Sequence, residues 1–107
     1  MANIMKLMKQ AASMQKDLER LQGELAQRTV EFSTGGGMVT ATARGDGTLA
    51  GIRIDPRIVD PQSVDMLEDS VLTAANGAIG AAKAMAAEEM GKITAGMGLP
   101  GMFGPAP

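Results

Sequence analysis

The side chains that most often carry nucleophilic and acid–base chemistry are scarce in this chain. Its 107 residues include no histidine and no cysteine. Ser13, Ser33, Ser63 and Ser70 therefore lack the usual base partner that activates a hydroxyl. The adjacent carboxylates Glu68-Asp69 and Glu88-Glu89 would point about 100° apart on a helix, so neither pair forms a facing acid–base couple. A magnesium site between Asp65 and Asp69 is conceivable, but acids near a helix start are accounted for by the helix dipole. Gly35-Gly36-Gly37 lacks the Gly-Lys-Ser/Thr continuation of a phosphate loop, and a strand pattern follows it where such a loop needs a helix. These observations predict a protein that is not an enzyme, with no cofactor, no metal and no evident small-molecule substrate.

The cations are patterned. Lys6, Lys9, Lys16 and Arg20 fall within about 80° of one another at helical spacing. A row of positive charge suits DNA, whose phosphates repeat along the duplex and release counterions when neutralised. The same row is also what an ordinary solvated helix face carries, and Asp17 and Glu24 sit at its edge. Arg28, Arg44, Arg53 and Arg57 form a looser group that either adds phosphate contacts or decorates a sheet. Arg44 and Arg53 are expected to lie near each other across a hairpin. The net charge is −2, so any affinity for DNA must come from the distribution of charge. Residues 1–16 hold three lysines and no acid, whereas 60–69 hold four acids and no base.

Positioning these cations requires a helix, and residues 3–27 read as one. Ile4, Leu7, Ala11, Met14, Leu18, Leu21 and Leu25 alternate spacings of three and four, which makes a narrow seam suited to packing against another helix. The cationic row lies nearly opposite that seam. Alternation by two then marks strands at 29–34, 38–44 and 48–54, with Gly35–Gly37 and Gly45-Asp46-Gly47 as turns. Asp60 followed by Pro61 reads as an N-cap and first helical position, opening a second helix over 61–92. That helix is rich in alanine. Gly77 and Gly80 would each cost it about 1 kcal/mol relative to alanine, but small residues allow close approach, so this segment reads as tightly packed against a neighbour, with a kink at Asn76-Gly77 as the competing reading. The expected organisation is one α-β-β-β-α domain over 1–95, of α+β class. A Gly- and Pro-rich tail over 96–107 is expected to be mobile.

Composition adds two constraints. There are two aromatic residues, Phe32 and Phe103, against ten methionines and fourteen glycines. A monomer so poor in large side chains would be marginal, so an oligomer is expected, with a second subunit supplying burial. No apolar run approaches membrane-spanning length, the N-terminus does not read as a signal peptide, and the absence of cysteine fits a reducing cytoplasm.

Several segments together resemble the YbaB/EbfC family of bacterial nucleoid-associated proteins. They are the opening helix over 1–27, Gly36-Gly37-Met38-Val39 at a strand start, and Gly45-Asp46-Gly47. Ile52-Arg53-Ile54-Asp55-Pro56, Leu67-Glu68-Asp69 and Gly98-Leu99-Pro100-Gly101 complete the set, in an order and spacing that match over nearly the whole chain. The resemblance implies a three-stranded antiparallel sheet with two long helices, assembled as an intertwined, tweezer-like homodimer. It implies binding of double-stranded DNA with little or modest sequence preference, in the cytoplasm at the nucleoid, with effects on DNA conformation, nucleoid organisation and gene expression. Lys6, Lys9, Lys16 and Arg20 match positions that would face DNA, and the match extends less closely to Lys83 and Lys92; Arg28, from the looser group, and Lys83 complete the expected DNA-binding set. A different reading also stands on the residues alone: a dimeric protein-interaction adaptor that uses the heptad seam and the methionine content.

Overall fold

In the computed structural model, which describes residues 3–96, the first helix (α1) spans Ile4–Leu25. The side chain of Asn3 caps it by accepting a hydrogen bond from the Lys6 amide at 3.1 Å. Three strands follow: β1 (Thr29–Thr34), β2 (Val39–Arg44) and β3 (Leu49–Ile54). They pair antiparallel in the order β1-β2-β3. The chain closes with a second helix (α2), Val64–Gly96. The α-β-β-β-α order and the α+β class agree with the sequence reading.

Each turn has a local cause. Gly35–Gly37 forms one 3-10 turn, with all three glycines at positive φ. That backbone region is open mainly to glycine. In the β2–β3 hairpin the Asp46 carboxylate accepts from the Thr48 amide at 3.0 Å and the Thr48 hydroxyl at 2.6 Å. These bonds, with smaller help from the charge of Arg44, hold the Asp46 carboxyl below the usual carboxylate range. A register shift between Thr42 and Ala43 follows the turn into the sheet.

The second helix starts later than expected. Asp60 does not cap it: its carboxylate accepts from the Gln62 amide at 2.9 Å, and its carbonyl accepts from the Ser63 amide at 2.9 Å. Asp60-Pro61 therefore makes a free-standing turn, and Val64 is the first helical residue. The helix is continuous through Asn76 and Gly77 and ends at Gly96, four residues beyond the expected Lys92. The rest of the expected tail, 97–107, lies outside the described residues.

The core is small in area because its residues are small. Val39, Ala41 and Ala43 of β2 are fully buried against Ala74, Ala78 and Ala82, which stack at four-residue intervals along α2. Val39 is the largest of these side chains. Alanine facing alanine brings helix and sheet close but removes little apolar area from water. Many larger apolar residues stay outside: Ile4, Leu7, Met8, Leu49, Ile52, Met66 and Leu72 are all exposed within the protomer. Ile52 and Ile54 pair with Ala41 and Val39 and so share the helix-facing side of the sheet, yet both remain exposed at the β3 edge.

The seam of α1 is used only in part. Leu21 and Leu25 are buried, whereas Ile4 is 64% and Leu7 60% exposed. The N-terminal half of α1 therefore projects away from its own protomer. The radius of gyration is 19.6 Å, against about 13 Å for a compact chain of about 100 residues.

Candidate nucleic-acid interface

The backbone of α1 sets the spacing of the cationic row. From Lys6 to Arg20 is 14 residues, or about 21 Å of helix at 1.5 Å per residue. Lys6, Lys9, Lys16 and Arg20 are all exposed. Their electrostatic situations differ. Lys6, Lys9 and Lys16 form no ion pair within 4 Å among the described residues. Arg20 lies 3.4 Å from Asp17, one turn before it, and 3.8 Å from Glu24, one turn after it. Such exposed pairs are individually weak, but two carboxylates beside one guanidinium offset its charge locally.

The other expected cations are dispersed. Arg28, just past the end of α1, lies 3.8 Å from Glu89 of α2. Lys92 shares the same carboxylate at 2.9 Å. The hydrogen bond from Lys92 is the main reason the Glu89 carboxyl is held below its ordinary range, and Glu89 in turn raises the Lys92 ammonium. Lys83 is exposed on α2 and pairs with no acid within 4 Å among the described residues. It follows Ala82 by about 100° of helix rotation, turned away from the buried Ala74–Ala78–Ala82 column. The structure thus separates one row on α1, one mixed cluster where the helices meet, and a single lysine on α2.

The arginines of the sheet do not form the expected pair. Arg53 sits opposite Thr40, whereas Arg44 lies four residues further along β2, opposite Thr29 on β1. That separates their backbones by about 13 Å along the strand. Arg44 is occupied at the hairpin, donating to the Leu49 carbonyl at 3.2 Å. Arg57 is held by Asp55 at 2.7 Å, an ion pair that lowers the Asp55 carboxyl and raises the guanidinium.

Sequence reasoning placed the α1 row and the acids flanking Arg20. It missed Glu89 as the partner of Arg28, because 61 residues separate them and no local pattern links the two. No helix of the described residues is long and apolar enough to cross a membrane.

The model of the YbaB/EbfC DNA-binding family matches residues 1–97. The chain belongs to this family. Among relatives of the YbaB/EbfC chain, a nucleoid-associated protein of Thermoanaerobacter sp. (strain X514) is 48% identical over 101 residues, covering 94% of this chain and 91% of the relative. A nucleoid-associated protein of Acetivibrio thermocellus is 49% identical over 102 residues, covering 94% and 90%. The fold matches that of an uncharacterized Helicobacter pylori protein of known crystal structure, with a TM-score of 0.71 at 20% identity over 91% of this chain and 98% of that one.

Proposed function

We propose that this YbaB/EbfC-family protein is a bacterial nucleoid-associated protein that binds duplex DNA as a homodimer, chiefly through the lysines on the projecting half of α1. The observation that carries the reading is the row Lys6, Lys9 and Lys16, exposed and without acidic partners among the described residues, on a helix segment that its own protomer leaves uncovered. Lysines of this kind contact phosphates, which position a protein on DNA without reading its sequence. The expected behaviour is binding with little or modest sequence preference, accompanied by a change in DNA conformation, at the nucleoid in the cytoplasm. Through that change it would influence nucleoid organisation and gene expression. The chain has no histidine and no cysteine, which favours a role without catalysis.

The dimer is favoured by what the protomer leaves exposed. An apolar groove of about 450 Å³ runs between β3 and α2, lined by Ile54, Leu67, Val71, Leu72 and Ala75 with Glu68 at its side. Covering it would supply the burial that the alanine core does not. The same groove and the exposed α1 seam are what an adaptor for another protein would use. Sedimentation of the purified chain and fluorescence anisotropy on several duplexes of unrelated sequence separate the readings. A dimeric mass and affinities within a few-fold of one another support the proposal. A monomeric mass, or no binding to any duplex at physiological salt, would overturn it.

A further inference from the structure

The free half of α1 has an apolar face as well as a basic one, and the DNA reading uses only the basic one. Ile4, Leu7, Ala11 and Met14 continue the line of Leu21 and Leu25 toward the N-terminus, with Ile4 and Leu7 exposed. The end of α2 is aimed along this face. Arg28 beside Glu89 fixes where the two helices meet. From there Leu21 is buried further up α1 and Thr94 further along α2. Thr94 lies about 18 Å of helix beyond Ala82, and α1 and α2 are in contact with each other. The two helices therefore run side by side in opposite directions. The long dimension of the molecule agrees: it is 74 Å, about 25 Å more than the 33 residues of α2 span alone.

Eleven residues, 97–107, continue from the end of α2. They carry no charge, and Met97, Leu99, Met102 and Phe103 give them apolar side chains at short intervals. Fully extended, they reach about 36 Å. From Leu18 back to Ile4 is about 21 Å of helix. All but the first of them lie beyond the stretch matched by the family model.

We propose that the C-terminal segment of each chain, through Leu99 and Phe103, docks on the apolar Ile4–Met14 face of α1 in the same chain. The proposal does not depend on DNA binding. Gly and Pro leave this segment little ability to bury its side chains by itself, and the α1 face supplies the missing surface. Docking there leaves the opposite face, with Lys6, Lys9 and Lys16, open.

The chain has no cysteine, so Ala106→Cys in the full-length protein gives one site for a nitroxide label. Two mixed samples are compared by amide NMR. In the first, the isotope-labelled chain carries the nitroxide and is diluted with unmodified chain. In the second, the nitroxide is on the unlabelled chain. The expected result is loss of the amide signals of Leu7 and Ala11 in the first sample alone. Their recovery is expected when Leu99→Ser and Phe103→Ser are added, with thermal unfolding of the domain unchanged. No signal loss, loss in the second sample, or loss that survives the two serine substitutions would each overturn the proposal.

Discussion

Gly77 of α2 packs directly against the ring of Phe32 on β1, and a Cβ at that position would overlap the ring. Nothing lies within 4 Å of the corresponding Cβ position at Gly80, one turn on. Two glycines in one helix therefore do different work. Gly77→Ala should gain the helical preference of alanine, about 1 kcal/mol, but lose more to the displaced ring, for a net destabilisation of about 1–2 kcal/mol. Gly80→Ala should stabilise by about 0.5–1 kcal/mol. Urea unfolding of both variants tests this contrast, and equal shifts of the same sign would contradict it.

Much of the fold was legible in local sequence, and the Gly77 contact shows where that stopped. The three strands follow from alternation by two, and the turns from Gly35–Gly37 and Asp46-Gly47. The small residues around Gly77 could be read as a tightly packed face, but not which neighbour Gly77 meets, because the Phe32 ring lies 45 residues away. Asp60-Pro61 has the form of a helix start, yet the Asp60 side chain is satisfied within its own turn. Of the candidate site, the α1 row was visible because helical spacing is local. The occupation of Arg28 by Glu89 and the separation of Arg44 from Arg53 depend on packing and register, which no spacing rule encodes.

Gly45 seats the end of α1. Its amide donates to the carbonyls of Leu25 and Arg28, each at 2.9 Å. A Cβ there would lie 2.7 Å from the Leu25 carbonyl oxygen and 2.9 Å from its side chain. Because the obstacle is partly backbone, it cannot swing aside. Gly45→Ala should destabilise the fold by about 1–3 kcal/mol, and hydrogen exchange should show faster opening around Leu21 and Leu25 than in β2. Unchanged protection there would contradict this role.

Glu89 links stability to pH. Its carboxyl is held below the ordinary value chiefly by the Lys92 hydrogen bond, with smaller help from the Lys92 and Arg28 charges. A depressed folded-state pKa contributes stability above the unfolded value, and that contribution is lost as pH falls through the folded one. Glu89→Gln should therefore make stability less sensitive to acid, on the low side of the ordinary glutamate range. It should also release Arg28 and tighten DNA binding modestly. A variant with the same acid profile as the parent would show that the pair has no role in folding.

Arg20 should matter less to DNA than its place in the row suggests. Asp17 and Glu24 flank it, whereas Lys16 has no such partner among the described residues. Arg20→Ala should weaken binding less than Lys16→Ala, and Asp17→Asn combined with Glu24→Gln should strengthen it. Equal losses from the two alanine variants would mean that the flanking acids do not offset Arg20.

The most direct test of the DNA-binding face is the salt dependence of affinity for a random duplex. Each phosphate contact contributes about 0.9 to the slope of log K against log salt. Replacing Lys6, Lys9 and Lys16 by alanine removes up to six contacts from a dimer, so the slope should fall by as much as about 5. A triple variant that stays folded and dimeric yet keeps the parental slope would contradict the assignment of this face to DNA.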